Sequence, residues 1–230
     1  MHPKGTSNPL LLLIRGKMDI NELMLYKNKS ENCFRLLAAC FYEPEKDLFA
    51  EVNIFDNLKE YVQKICPEAA GFASEMGKSI QQYSDEDLRI EYAKLFMGPF
   101  ELIAPPYGSV YLDEGGRVMG DSTMEIIDVY QKEDLARSDD FKDLPDHIVV
   151  ELEFISYLIY MEREALQKSD LDTAKEYLNK QEAFLNAFLQ PWIPQFCNKI
   201  KEGTNNGFYL ALSDCVLTFI TNSRIATQLT

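Results

Sequence analysis

Histidine is nearly missing from this chain. His2 and His147 are its two, and the five cysteines (Cys33, Cys40, Cys66, Cys197 and Cys215) form no CxxC pair. A zinc or iron site would have to gather cysteines from far apart, so no metal and no other cofactor is expected. The cysteines are odd in number and several sit in apolar helical surroundings, which suits buried free thiols in a reducing compartment. Basic residues are also short: 23 Lys and Arg against 37 Asp and Glu leave a formal charge of −14 and an isoelectric point near 4.6. The basic footprint of sequence-independent binding to nucleic acid or anionic lipid is therefore absent. Cationic partners stay open, although acidity also serves solubility alone. No stretch approaches the roughly 18–20 apolar residues of a membrane span. The run from Leu10 to Ile14 is shorter than the apolar region of a signal peptide. It lacks a clear small-residue cleavage site and leads straight into Arg15 and Lys17. We read residues 1–17 as an extension outside the fold, 18–230 as the folded domain, and the compartment as the cytoplasm.

Period-two alternation with β-branched enrichment is lacking too, except for a trace at Gly108–Leu112, and there is no internal repeat. What is present is helical periodicity. Ser30 can cap a helix running to about Tyr42, ended by Glu43-Pro44. Helices are expected over Leu48–Ile65 and Glu68–Gln82, then from the acidic start Ser84-Asp-Glu-Asp87 through Leu88, Tyr92, Leu95 and Phe96. Asp121-Ser122 reads as a cap for a helix carrying Met124, Ile127 and Tyr130. Asp143 reads as a cap for the helix from Pro145 to about Gln167. That helix is apolar nearly all round and belongs at the centre of a core. Further helices follow from Asp170 to Gln190, from Pro191-Trp192 to Lys201, and from Phe208 to about Ala226. The expectation is an all-α, single-domain bundle of about ten helices.

One stretch escapes this pattern. After Gly98-Pro99 the chain runs irregularly through Pro105, Pro106, Gly108, Gly115, Gly116 and Gly120. About twenty residues without regular structure are unusual in a compact domain unless they are functional or disordered. Disorder suits this segment poorly, because Phe100, Leu102, Ile103, Tyr107, Val110, Tyr111 and Leu112 want burial or a partner. It reads as an ordered binding loop, assisted by Leu144-Pro-Asp-His147 further on.

Familiar catalytic patterns are absent: the glycines form neither GxGxxG nor GxxxxGK[ST], and Ser109 is not in a nucleophile elbow. A hydrolase using His147, with Ser109 and Asp146, is the enzyme alternative, weakened because adjacent Asp and His do not face each other on a helix. His147 and Glu151 share a helix face. Glu151 lies toward the buried side, where a carboxylate needs a partner, and bracing the loop is its natural duty. Glu153 lies on a more polar face. Tyr92, Phe96, Phe100 and Tyr107 place rings before and within the loop. Phe96 suits the core, and the others can wall a groove stiffened by proline. With Asp113, Glu114, Asp121, Glu125 and the acidic run Gln131–Asp143 nearby, such a groove fits an apolar peptide carrying arginines.

Two blocks carry a resemblance. The first is Tyr92-Ala-Lys-Leu-Phe96, Gly98-Pro99, Ala104-Pro-Pro-Tyr-Gly-Ser-Val-Tyr-Leu-Asp113 and Gly120-Asp-Ser-Thr123. The second is Leu144-Pro-Asp-His-Ile148 with Glu151-Leu-Glu-Phe154. Together they resemble the TorD/DmsD/NarJ family of redox-enzyme maturation chaperones, with the detail looking nearest to the DmsD-like branch. The resemblance implies a non-catalytic chaperone that binds the twin-arginine signal peptide of a molybdopterin oxidoreductase and delays export until the cofactor is inserted. Its peptide surface would comprise Tyr92, Phe96, Phe100, Tyr107, Gly108, Ser109, Asp146 and His147, with Glu151 bracing the loop. Some relatives carry tryptophan at the positions of Tyr92, Phe100 and Tyr107. A NarJ-like chaperone for a subunit that is never exported is the neighbouring reading, and either a monomer or a domain-swapped dimer is compatible.

Overall fold

The computed structural model describes residues 19–98, 102–135 and 143–222. The proposed extension at 1–17, Phe100 and most of the acidic run before Asp143 lie outside the described residues. Within them the regular structure is helical, and one isolated β-bridge joins Tyr107 to His147. The expected all-α class is what the chain adopts.

Helix α1 (Ile20–Ala39) starts ten residues before Ser30. Asp19 caps it, accepting from Asn21 N at 2.6 Å and Glu22 N at 3.0 Å while Glu22 reaches back to the Asp19 amide. This is a capping box in Asp-x-x-Glu form, and it outcompetes the Ser30 start because Ser30 is buried mid-helix with its hydroxyl on the Tyr26 carbonyl. Short α2 (Lys46–Glu51) then leads to α3 (Ile54–Ile65) and α4 (Ala70–Ser79). Helix α5 (Asp85–Tyr92) opens at the expected Ser84–Asp87 capping box and widens into a π-type turn over Ala93–Met97. Such turns frequently mark functional sites.

The loop is less irregular than its composition implied. Ser109–Leu112 forms a single helical turn, α6, where a trace of strand pattern had been read. Four residues cannot show a helical period, so the pattern there carried no information. Helix α7 (Asp121–Lys132) follows. The central helix α8 spans Ile148–Gln167 and is capped by His147, neither by Asp143 nor with Pro145 inside its first turn. Helix α9 (Leu171–Phe184) is capped by Asp170 as expected, and passes through a second π-type turn (Leu185–Leu189) into α10 (Gln190–Gly203). Helix α11 is Gly207–Asn222.

Helix α8 lies between α1 and α9, and α11 packs on α4 and α10. The main core gathers Phe34, Phe96, Ile155, Trp192, Phe196 and Tyr209. All five cysteines are free and buried; burial pushes the Cys66 thiol up to about 11 and those of Cys197 and Cys215 to about 12. A fully buried charged contact lies inside the α1–α8–α9 seam. Lys27 Nζ sits 2.7 Å from Glu162 Oε2, both side chains are buried, and Gln181 Nε2 donates to the same oxygen at 2.8 Å. Removing one member of a buried pair strands the other charge, whereas removing both does not. Lys27→Met is therefore expected to lower unfolding free energy by about 3–5 kcal/mol, and Lys27→Met/Glu162→Leu to recover most of it, both read from urea transitions.

Candidate functional site

The two blocks are stitched together through the backbone by residues some forty positions apart. Gly108 N–H donates to the Asp146 carbonyl at 2.9 Å, and Ile148 N–H donates to the Pro106 carbonyl at 2.8 Å. Residue 147 therefore takes an extended conformation (φ −69°, ψ 140°), which stops α8 from starting earlier. Its side chain then caps the helix, with His147 Nδ1 accepting from Val149 N–H at 3.2 Å. That bond puts the proton of the neutral ring on Nε2. Burial lowers the His147 pKa, against the opposing pull of Asp143 and Asp146. Because the accepting nitrogen is committed to the cap, His147 has none left to take a proton from Ser109. The Ser109–His147–Asp146 hydrolase arrangement is not assembled.

Beneath the bridge lie two buried carboxylates. Asp146 is fully buried and accepts from Ser109 N–H at 2.9 Å. Glu151 is fully buried one helical turn on, and Trp192 Nε1 donates to its Oε2 at 3.1 Å. Among the described residues the remaining oxygens, Asp146 Oδ1 and Glu151 Oε1, have no partner, nor do the Ser109 and Tyr111 hydroxyls. Burial drives the Glu151 pKa well up; the Trp192 bond opposes this and Asp146 adds to it.

These contacts explain Gly108. A Cβ there would stand 2.9 Å from Glu151 Oε1 and 3.2 Å from Trp192 Nε1, so the backbone crosses too close for a side chain. Trp192 also stacks on Tyr111 of α6, ring centres 5.5 Å apart and planes at 18°, fixing the single turn to α10. Tyr130 of α7 donates to the Pro145 carbonyl at 3.1 Å, holding the second block from the other side. At the end of the loop Asp113 serves α7 as a remote cap: Ser122 Oγ donates to Asp113 Oδ2 at 2.8 Å and Ser122 N–H at 3.3 Å. Gly120 is needed there, since a Cβ would fall 2.0 Å from that same oxygen.

The expected peptide residues thus divide. Tyr92 and Tyr107 are partly buried. Tyr107 meets His147 edge to face at 5.3 Å, and the Tyr92 hydroxyl donates to the Phe41 carbonyl at 3.3 Å. Burial and then the Asp143 charge push Tyr92 up to about 12, and the same two causes raise Tyr107. Phe96 is buried among Tyr92, Phe196 and Tyr209, as its helical spacing suggested. Gly108, Ser109 and Asp146 are buried and His147 is 5% exposed, so these four face inward. Phe100 lies outside the described residues. Trp192, Tyr130 and the Asp113–Ser122 pairing were not anticipated, because each is a long-range contact that no local spacing records.

The family described as Nitrate reductase delta subunit matches residues 56–198, more than half of the chain and both blocks. The chain belongs to this family, the TorD/DmsD/NarJ family. Chaperone protein TorD of Aliivibrio salmonicida is 24% identical over 209 residues, covering 87% of this chain and 95% of that protein. TorD of Photobacterium profundum is 34% identical over 140 residues, covering 58% and 62%. The "Probable Tat proofreading chaperone DmsD" of Haemophilus influenzae is 28% identical over 184 residues, covering 78% and 82%. A crystal structure described as a redox enzyme maturation protein, from Archaeoglobus fulgidus, shares the fold with a TM-score of 0.53 at 22% identity, covering 83% of this chain and 93% of its own. TorD and DmsD proteins match at similar identity, which fixes the TorD/DmsD/NarJ family without selecting its DmsD branch.

Glu151 gives this buried corner a pH signature. A carboxyl held above its ordinary range binds its proton more tightly in the folded state, so its contribution to stability falls as pH rises past the unfolded value. Glu151→Gln keeps an acceptor for Trp192 and carries no charge. The variant is expected to match wild type near pH 4.5 and to gain on it above, by up to about 1.4 kcal/mol per pH unit, in urea midpoints taken across that range.

Proposed function

We propose that this protein is a cytoplasmic, non-catalytic chaperone that binds the twin-arginine signal peptide of a molybdopterin oxidoreductase and delays its export until cofactor insertion. The observation that carries this reading is the stitched pair of blocks. The bridge holds Tyr107 beside Asp143, the partly exposed Tyr92 lies within reach of the same carboxylate, and the buried Asp146 behind them meets no cation among the described residues. A surface fixed by backbone hydrogen bonds loses little freedom on binding, and rings edged by carboxylates suit guanidinium groups followed by an apolar segment. The curated relatives are named as chaperones, which supports a binding role over a catalytic one. Among the described residues no helix is long and apolar enough to cross a membrane, and no His, Cys, Asp and Glu cluster could hold a metal.

Within the proposed peptide set, Tyr92 and Tyr107 make the contacts, with Phe100 assigned beside them by its place in the family block. Phe96, Gly108, Ser109, Asp146 and His147 shape the surface beneath, and Glu151 braces it. Calorimetric titration with a twin-arginine leader peptide tests this directly. Saturable binding is expected, weakened about tenfold by Tyr107→Ala and again by replacing both peptide arginines with lysine, which cannot fork or stack as arginine does. Absence of binding to leaders from any neighbouring oxidoreductase, with the fold intact, would turn the assignment to a subunit that is never exported. The family description, Nitrate reductase delta subunit, is what supports that second reading.

A further inference from the structure

Beyond the two blocks, the end of α1 brings an exposed aromatic ring and a carboxylate to the edge of the same surface. Tyr42 is 42% exposed, and its hydroxyl donates to Glu153 Oε1 of α8 at 3.1 Å. Tyr42 follows Phe41, whose carbonyl receives the Tyr92 hydroxyl, so this corner is continuous with the half-exposed tyrosines of the peptide surface. The neighbouring Glu43 already holds a guanidinium, that of Arg89 at 3.5 Å. Among the described residues no lysine or arginine pairs with Glu153, Asp143 or Asp146. Asp146 is fully buried with Oδ1 unpartnered, and its charge reaches Tyr107 and His147.

We infer that Tyr42 and Glu153 form a specificity-determining subsite for an arginine of the bound peptide, an inference that rests on the peptide-binding reading. The Tyr42 hydroxyl fixes the carboxylate by occupying one oxygen, which leaves the second for a guanidinium N–H. The exposed ring offers a face for the guanidinium plane to stack upon. A fixed carboxylate loses less side-chain freedom on pairing than a free surface glutamate does, so this pair is worth more than an ordinary exposed ion pair. Glu153 is exposed and Tyr42 lies at the end of a helix, so changing either leaves the core alone.

The test titrates an arginine-bearing leader peptide, and its twin with the arginines changed to glutamine, into wild type, Glu153→Gln and Tyr42→Phe. Glu153→Gln is expected to weaken the arginine peptide about tenfold, to flatten its salt dependence and to leave the glutamine twin unchanged. Tyr42→Phe keeps the ring but frees the carboxylate, and is expected to weaken the arginine peptide about threefold. Both variants should melt with wild type. If Glu153→Gln binds the arginine peptide as tightly and with the same salt dependence as wild type, the subsite is wrong while peptide binding stands. If wild type binds both peptides equally, the subsite is wrong again. If wild type binds neither, the peptide reading fails and takes the subsite with it.

Discussion

Glu151 has no exposed surface, and its carboxylate lies against the backbone of Gly108 with one indole N–H as its hydrogen-bond donor. Much of the site follows from that contact. The loop can approach so closely only because position 108 lacks a side chain. The close approach brings Gly108 N–H to the Asp146 carbonyl and so creates the bridge to residue 147. The bridge holds His147 extended, which fixes where α8 begins and turns the imidazole into its cap. Tyr107, the other half of the bridge, is left partly buried with its ring edge to face on His147. A buried carboxylate is an expensive spacer compared with an apolar side chain. Its retention makes sense where the backbone must come close and still meet a polar atom.

Much of this could be read from the residues, for reasons that differ by element. Helices with a clear apolar stripe and a side-chain cap, such as α5 and α9, began where their caps said, because capping is a local contact among residues three apart. Helix α8 was legible as the core helix, but its start was not, since a bridge to a residue forty positions earlier set it. The misplaced start of α1 had a local signal in Asp19 and Glu22 that Ser30 obscured. Of the candidate site, the membership of Tyr107, Asp146, His147 and Glu151 was visible as two blocks, and Glu151 was recognisable from its angular position among Ile155 and Leu158. The division between exposed rings and buried supports was not visible, because it depends on which residues of a loop face inward. Trp192 had only its rarity to recommend it, and nothing in Pro191-Trp192 points toward Glu151.

The two buried polar systems of the fold show what distinguishes a functional site from a packing device. In the α1–α8–α9 seam, Glu162 meets the ammonium of Lys27, and Arg163 pairs with Glu31 close by. Two carboxylates there are each met by a cation within the seam. At the bridge the balance differs: Asp146 is met by an amide, Glu151 by an indole, and no cation pairs with either among the described residues. Folded proteins tend to break the rules of local consistency where they act. Asp146 lies beneath partly exposed rings without a cation to balance it among the described residues, while burial favours the neutral form of Glu151. The low His147 pKa accords with this, because a protonated imidazole would supply that charge from within and would lose the Val149 cap in doing so. A neutral histidine preserves the start of the central helix and adds no positive charge beside Asp146, so one hydrogen bond both orders the fold and leaves that charge balance unchanged.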